Sequence, residues 1–503
     1  MGKTPDDAVQ EYELDSYPGS AAETQVFLPG APEVAPEHAP PKPPVLVRVV
    51  RFLCKPDILL ALVSLLLFTL LSAYFEMPST LQLYMTAMLF TLPTALVLDA
   101  SQLVARRGLT RARTVRLALA SAAVLYMIVC IVTGGLAVIP SYAQPRSSPL
   151  RTNETVFIAS NLYNSEAILP QYRDSLLSAV DALGTANVFV SIYENNSKDN
   201  TPAMLKQLDG ELAHRGIARR IVTGSRDPSF RKLPRIERMA ILRNAAMEPL
   251  YQQDGNAWRR GRSVDKVLWL NDILFDPDAI YELLATNDGA FDQVCAIDYY
   301  QLGLYDTWVT RDVDSVRPRP LWPFFVRGQD QRSVASMQPV TVNACWNGMA
   351  AFHGHWFLPD TNSSAARPGK KQQGAAIDAL PRPVPGKEHD GMEPPARLPI
   401  RFRTNPGCVI SECLLPSIDM HRIAAPLRPR ILMNPKVAVA YNRPQYFQFA
   451  HMIRWRLVWP WRAVWQDIIA NRIFGRLGDL GRKDDACSYV YASRWVPPGA
   501  DST

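Results

Sequence analysis

The chain has 503 residues, 48% of them hydrophobic, and carries 54 Lys and Arg against 47 Asp and Glu for a formal net charge of +7. That length exceeds a single ordinary core, so two or more regions are expected. The basic excess is small and comes with no zinc-finger, RRM or basic-heptad pattern, which argues against a nucleic-acid binder; the seven cysteines form no CxxC pair or Cys/His cluster, which argues against a structural zinc site.

Residues 1–44 are rich in Pro, Ala, Glu and Asp and have no apolar period. This is the composition of a disordered tail, and the first apolar run begins too late for a cleavable signal peptide. Residues 45–140 hold three apolar segments: Ile58 to Tyr74, Leu81 to Leu98 and Leu117 to Ile139. Each reaches the roughly 17 to 25 residues a membrane span needs, and Pro93 is tolerable in such a helix. Arg48, Arg51 and Lys55 precede the first segment, and Arg106, Arg107, Arg111, Arg113 and Arg116 lie between the second and third. The positive-inside rule then places the N-terminus in the cytosol and everything after the third span in a lumen or outside. Three Asn-x-Ser/Thr sequons, at Asn153, Asn195 and Asn362, fit a secretory compartment. There, one or two disulfides could form among Cys295, Cys345, Cys408, Cys413 and Cys487, with a pairing the sequence leaves open.

A stalk over 141–154 leads to a domain over 155–442. Strands are expected at Val156 to Ala159, Val188 to Tyr193, Ala218 to Thr223, 267–270 and Gln293 to Ile297. Helices are expected at Ser165 to Leu183 (with Ser165 as its cap), Thr201 to Arg215, Ile236 to Tyr251 and Asp276 to Ala285. This alternation predicts an α/β fold with a mainly parallel sheet and helices on both faces. Residues 360–398, dominated by Pro, Gly, Lys and Ala, read as a disordered insertion. In the C-terminal extension 443–503, Trp455, Trp459, Trp461 and Trp465 alternate with arginines; either an interfacial amphipathic helix or a helix packed on the domain fits.

The stretch VLWLNDILFDPD, Val267 to Asp278, is the centre of this organisation. A buried strand that ends on Asn271 and Asp272 places a carboxylate at the C-terminal edge of the sheet, where open α/β sheets bind ligands. A carboxylate there suits a hard cation that holds phosphates. Two further strand ends join it: Asn161 to Glu166, and Glu194 to Thr201, where Glu194, Ser197 and Asp199 offer polar groups to a base, ribose or loop. Arg238 and Arg243 on the following helix can neutralise phosphate charge.

These motifs in this order resemble the nucleotide-sugar half of a GT-A glycosyltransferase: Tyr163-Asn164-Ser165-Glu166, the 194–201 loop, Leu242-Arg243-Asn244-Ala245, and Asn271-Asp272-Ile273 in the place of a DxD metal motif. More closely, residues 155–442 resemble the fungal capsular-polysaccharide α-1,3-mannosyltransferase family, glycosyltransferase family 69, through SIYENNSKDNT, LWLNDILF, CAIDYY, YDTWVTRD, WNGMAAF, SECLL and NPKVAVAY. The resemblance implies a GT-A-like fold, a GDP-mannose donor bound by Asn161, Tyr163, Asn164, Glu194, Ser197, Asp199, Arg238, Arg243 and Asn271, and Mn²⁺ or Mg²⁺ on Asp272. It implies catalytic roles for Asp272, Asp298 and Glu412. It also implies a mannoside acceptor met by Tyr299, Asp306, Trp308, Trp346 and Asn347, α-1,3 transfer with retention, and a Golgi setting; with the three spans read above, the expectation is a multi-pass Golgi protein with a lumenal catalytic domain, more spans than the single N-terminal anchor typical of Golgi glycosyltransferases. The departure of the metal motif from DxD leaves a second expectation open, a non-catalytic, membrane-tethered member of the family.

Overall fold

The computed structural model describes residues 55–75, 79–105, 110–133, 154–224, 230, 232–251, 263–301, 303–358, 397–405, 409–425 and 427–475. The expected tail, nearly all of the stalk and of the 360–398 insertion, Asn153, Asn362, Cys408 and Cys487 lie outside the described residues.

Four helices come first: α1 (Pro56–Phe75), α2 (Ser79–Thr86), α3 (Leu92–Val104) and α4 (Arg111–Val132), with a π turn, Ala87–Thr91, joining α2 to α3. Pro93 explains that turn. It has no N–H for the Leu89 carbonyl, and its ring pushes that carbonyl away, so the ladder widens one turn earlier. Leu81–Val104 and Arg111–Val132 are long and apolar enough to cross a membrane; the apolar stretch of α1, Pro56–Leu70, is shorter, so among the described residues two helices and not the expected three reach that length. Asp57 pairs with Arg113 and Arg116 (2.8 Å each), and Asp99 with Arg116 (2.6 Å). The start of α1, the end of α3 and the start of α4 therefore share one end of this group. The third apolar segment is helical to Val132, and 134–139 lie outside the described residues.

The domain alternates β1 (Val156–Leu162), α5 (Leu169–Leu183), β2 (Val188–Glu194), α6 (Thr201–His214), β3 (Ala218–Val222), α7 (Arg235–Tyr251), β4 (Lys266–Leu270), α8 (Ala279–Leu284) and β5 (Gln293–Tyr300). Then follow β6 (Gly303–Leu304), β7 (Arg311–Asp312), α9 (Gly328–Ala335), β8 (Val340–Ala344), β9 (Met349–His353), α10 (Leu415–Ala424) and β10 (Ile431–Ala440). The sheet order is β3-β2-β1-β4-β9-β5-β10-β8-β7, with β6 on β5. Six strands, β3, β2, β1, β4, β5 and β10, point one way, and β9 runs against them between β4 and β5. The expected α/β, GT-A-like class is what the structure shows.

Apolar runs become central strands because both faces are covered. Val267 and Trp269 of β4 enter one core with α7 and α10, while Leu268 and Leu270 enter the other with α5, α6 and α8. A disulfide joins Cys295 of β5 to Cys345 just after β8, with Cα atoms 6.1 Å apart, and Cys413 is a free, buried thiol; of the five cysteines considered, Cys408 and Cys487 lie outside the described residues.

Three sequence expectations are corrected. Ser165 is not the cap of α5: the helix starts at Leu169, with Pro170 in its first turn, and Ser165 lies in the turn before it. That turn is held by tertiary bonds, such as Ser165 N–H to Thr201 Oγ1 (2.7 Å), which local helix signals do not encode. Helix α8 starts at Ala279, because Asp276-Pro277-Asp278 forms a turn that receives the Ala279 N–H. The C-terminal extension is not one helix. It runs through α11 (Arg443–Tyr446), a π turn Phe447–His451, short 3₁₀ turns and a π helix Arg462–Gly475. It packs in two directions. Phe449 stacks on Tyr299 of β5 at 4.5 Å, while Met452, Leu457, Val458 and Trp461 pack on Leu81, Met85 and Met88. Tyr84 and Tyr126 donate their hydroxyls to the carbonyls of Leu457 and Arg456 (2.5 Å each).

Candidate active site

β4 ends at Leu270, and the chain then crosses the sheet edge. Asn271 N–H donates to the Gly348 carbonyl (2.8 Å), and Leu274 bridges to Ala440 of β10. This path puts Asn271 and Asp272 at the C-terminal edge, between the two halves of the sheet. Gly348 allows it: at φ +71°, a Cβ there would come within 3.0 Å of Ile273 Cγ2 and 3.3 Å of the Tyr441 hydroxyl.

The Asn271 side chain is committed. Its Oδ1 accepts from the Trp269 indole (3.1 Å), the Trp346 indole (3.2 Å) and Arg243 Nη1 (3.4 Å). Arg243, 4% exposed, lies 4.6 Å from the Trp346 ring centre, 5.0 Å from Trp269 and 5.7 Å from Phe402. Its Nε donates to Glu412 Oε1 at 3.1 Å, and Glu412 is itself buried. Burial works against the guanidinium charge, but Cys413 and Glu412 beside it outweigh that, and its affinity for the proton rises. The result is a fixed positive charge in an aromatic box.

Asp272 is the carboxylate left open. The residue is exposed, yet protein crowds its carboxyl closely enough to push it up to about 6, against the pull of its own backbone N–H and of Arg243. Two of its neighbours were not singled out from the sequence as site residues: Tyr172 of α5 and Tyr441, whose hydroxyls both feel the Asp272 charge. Trp269 and Phe402 were likewise missed, since a Trp inside an apolar run and a Phe in an irregular segment carry no signal of a shared partner.

The two strand-end loops next to this edge bond mostly to each other. Asn164 N–H donates to Ser197 Oγ (3.0 Å), and Asn164 Oδ1 accepts from Lys198 N–H (2.8 Å). Asp199 accepts from the N–H groups of Glu166 (3.0 Å) and Thr201 (3.1 Å), and these bonds hold it below its usual range despite the opposing effect of burial. Glu194 is 1% exposed and accepts from the N–H groups of Ser197 (2.5 Å) and Gly224 (3.1 Å). Tyr163 is 46% exposed. Asn161 Nδ2 donates to the Leu242 carbonyl (3.1 Å), while its buried Oδ1 and the buried Arg238 Nε have no hydrogen-bond partner among the described residues. Such orphans cost on the order of 1–3 kcal/mol each unless a ligand satisfies them.

On the other side of Asp272, Asp298 at the end of β5 is fully buried. It accepts from the Tyr441 hydroxyl (3.0 Å) and the Asp306 N–H (3.1 Å). Burial and then the charge of Asp306 lift Asp298 well above the ordinary carboxylate range, and burial lifts Asp306. Asn347 is closed to solvent: it accepts from Thr310 Oγ1 (2.7 Å) and donates to the Ala296 carbonyl (3.0 Å). Trp346 is 2% exposed, so both residues support the site from below, whereas the Trp308 and Tyr305 rings reach solvent. Tyr299 is half-buried under Phe449.

Among the described residues no group of three His, Cys, Asp or Glu could hold a metal alone. Asp272 fits a different arrangement, a single carboxylate on a cation whose remaining ligands are diphosphate oxygens and water, as Mg²⁺-type sites commonly have.

The family model described as Cryptococcal mannosyltransferase 1 matches residues 155–419, over half of the chain. The chain belongs to this family. A curated relative, alpha-1,3-mannosyltransferase CMT1 of Cryptococcus neoformans, is 29% identical over 225 residues, which cover 41% of this chain and 48% of the relative. The chain thus spans about half the length of the curated relative it matches. Among solved structures, Staphylococcus aureus TarS (residues 1–349) aligns at 11% identity and a TM-score of 0.28, over 68% of this chain and 81% of that one. The mannosyltransferase PcManGT of Pyrobaculum calidifontis, solved with GDP-mannose and Mn²⁺, aligns at 14% and 0.23, over 52% and 56%.

Proposed function

We propose that this protein is a glycosyltransferase that moves mannose from GDP-mannose to a mannoside acceptor and forms an α-1,3 linkage with retention. The observation that carries the reading is the pairing of one exposed acidic residue, Asp272, with the buried Arg243–Glu412 charge pair at the sheet's C-terminal edge, in a chain of a mannosyltransferase family. Asn161 and Glu194 meet the base and ribose, with the orphan Asn161 Oδ1 accepting from an N–H or hydroxyl. Tyr163 closes over the nucleoside, and Asn164, Ser197 and Asp199 hold the two loops in shape for it. Arg238, through its orphan Nε, and Arg243 face the diphosphate charge. Asn271 fixes Arg243, and Glu412 keeps it charged and aimed. Asp272 is the residue that would hold Mn²⁺ or Mg²⁺, which would supply neutralisation of the charge on the leaving diphosphate.

In transfer with retention the glycosidic C–O bond to the diphosphate breaks and the new α bond forms on the same face. The acceptor proton passes to the departing diphosphate, so no side-chain base is required. Trp308 and Tyr299 offer faces to the acceptor sugar, Asp306 and Asp298 order its hydroxyls, and Trp346 and Asn347 brace them. The setting is a Golgi membrane, with the N-terminus cytosolic and the domain lumenal. The Cys295–Cys345 disulfide supports an oxidising compartment.

The test is transfer by the purified full chain with GDP-mannose, an α-mannoside and Mn²⁺. Asp272→Ala is expected to remain folded and to lose activity by about 10²–10³-fold, the usual scale for a lost electrostatic group. No product from GDP-mannose in the wild type sinks the reading. The lone carboxylate of Asp272 favours a second reading, a non-catalytic tethered member; that reading expects nucleotide-sugar binding with no turnover by wild type or variant.

A further inference from the structure

We propose that the C-terminal segment from Trp459 to Phe474 lies in the bilayer interface, with its exposed apolar side chains in contact with lipid acyl chains. The proposal rests on Leu81–Val104 and Arg111–Val132 crossing a membrane, and three observations support it. The first is where the segment sits. Asp57, Asp99, Arg113 and Arg116 pair at one end of the apolar helices. The C-terminal segment covers the opposite end, where Leu457, Val458 and Trp461 pack on Leu81, Met85 and Met88. The second is depth. Tyr84 and Tyr126 donate their hydroxyls to the carbonyls of Leu457 and Arg456. Tyr84 stands three residues inside Leu81 and Tyr126 six residues inside Val132, which at a rise of about 1.5 Å per residue puts these carbonyls roughly 5–9 Å below the helix ends. Interfacial segments lie at that depth, roughly 5–10 Å into the boundary. Arg456 nonetheless sends its guanidinium back to the Thr133 hydroxyl (3.4 Å), past the end of the helix. A long basic side chain does so when its stem lies in lipid and its head in water.

The third is continuity of surface. Trp459, Val464, Ile468, Ile473 and Phe474 are exposed. The helices beside them expose the same chemistry, Leu83 and Leu89 on one, and Leu125, Ile128, Ile131 and Val132 on the other. Large exposed apolar surfaces mark a membrane or protein contact. Here one bilayer covers the helices and the segment together, with Trp459 at the boundary that tryptophan favours. Asp467, the only carboxylate between Arg443 and Gly475, is turned to the domain, where it accepts the Trp322 indole N–H at 3.2 Å. Phe449, just upstream, stacks on Tyr299 at the end of β5 (4.5 Å). A segment seated in the bilayer therefore ties the acceptor edge of the site to the membrane surface.

The test is photolabelling from within the bilayer, and no outcome of it depends on which sugar donor the site takes. The full chain is placed in phosphatidylcholine nanodiscs in which a small share of the lipid carries a diazirine midway along one acyl chain. After irradiation, labelled peptides are mapped by mass spectrometry. Labelling over 459–474 is expected to be comparable with that over Leu125 to Val132. Val409, exposed but outside the cluster that the segment forms with the helices, is expected to stay unlabelled. Ile468→Asp/Phe474→Asp, at two exposed positions, is expected to lose most of the segment's labelling and to leave that of Leu125 to Val132 unchanged. Should the double variant fail to fold, Ile468→Ser alone is expected to lower the labelling of its own peptide. Labelled helices with an unlabelled segment, or a segment labelled no more than Val409, overturns the proposal. Unlabelled helices overturn it together with the membrane reading. A wild type that is dimeric in the nanodisc, with a monomeric double variant, assigns the face to a second copy and likewise overturns the lipid as its occupant.

Discussion

Two polar clusters stand at the same edge of the same sheet, and they use their charges in opposite ways. In the loops after β1 and β2, Asn164, Glu166, Ser197 and Asp199 direct their hydrogen bonds to one another's backbones. In the loop after β4, Asn271, Arg243 and Glu412 satisfy each other in an aromatic box and leave Asp272 exposed. Both clusters look alike as sequence, a strand ending in Asn and carboxylate residues. What separates them is whether a charge is matched by neighbouring N–H groups. The first builds a rigid rim, and the second presents a field to a charged ligand.

The strongest way to break the comparison is to remove the charge inside the box. Arg243→Met keeps the volume between Trp269, Trp346 and Phe402 but strands Glu412 in a buried site. Losing one partner of a buried pair costs about 3–5 kcal/mol, and this variant is expected to lose that much in denaturant unfolding together with most nucleotide-sugar affinity. Arg243→Met/Glu412→Gln should recover a large part of the stability and none of the affinity. A single variant of unchanged stability would show that the pair is not structurally coupled.

The disulfide comes next. Cys345 immediately precedes Trp346-Asn347-Gly348, the turn that carries the Asn271 anchor, and it ties that turn to β5 across a separation of 50 residues. Cys295→Ala/Cys345→Ala is expected to lower stability by roughly 3 kcal/mol. Its effect should fall on the central cluster, with reduced donor binding, and spare the rim formed by the β1 and β2 loops. Hydrogen exchange at Asn164 to Thr201 that rises as much as exchange at 271–274 would dissolve the distinction.

A smaller effect reads the Asp298 side of the box through pH. The native Asp298 carboxyl lies above its unfolded value of about 3.9, so the folded chain holds a proton that the unfolded chain releases. The stabilisation tied to that proton is complete below the unfolded value and is lost as pH rises through the native one. Between about pH 5 and pH 8, the wild type should lose thermal stability relative to Asp298→Asn, whose side chain does not titrate. Parallel melting curves at both pH values would mean that Asp298 is ionised in the fold.

Much of this organisation is legible in the sequence, for a definite reason. Val267 to Leu270 and Val188 to Glu194 are buried on both faces, and that burial writes itself as a continuous apolar run. The residue at which such a run turns polar marks the sheet edge, so Asn271, Asp272 and Glu194 are found without a structure. The direction each side chain takes after the edge is not written locally. Arg243 is fixed by Trp346, Phe402 and Glu412, all distant in the chain. The turn before α5 is fixed by Thr201 and Asp199, which hides the true helix start from local signals. The two-way packing of the C-terminal segment depends in the same way on Tyr84, Tyr126 and Tyr299.

The smallest predicted effect tests the rim itself. Asp199 receives two backbone N–H groups and sits below its ordinary range, so its contribution is present at neutral pH and fades as pH falls through its native value. Asp199→Ala is expected to cost about 1–2 kcal/mol near pH 7, in keeping with hydrogen bonds to a charged group, and to converge with the wild type in strong acid. If Asp199 shapes the loop and does not contact the donor, Asp199→Asn, which keeps one acceptor oxygen, restores much of the stability and the KM for the donor together. A KM that stays high in a restored fold would move Asp199 from the rim to the ligand, and the two clusters would then share one job.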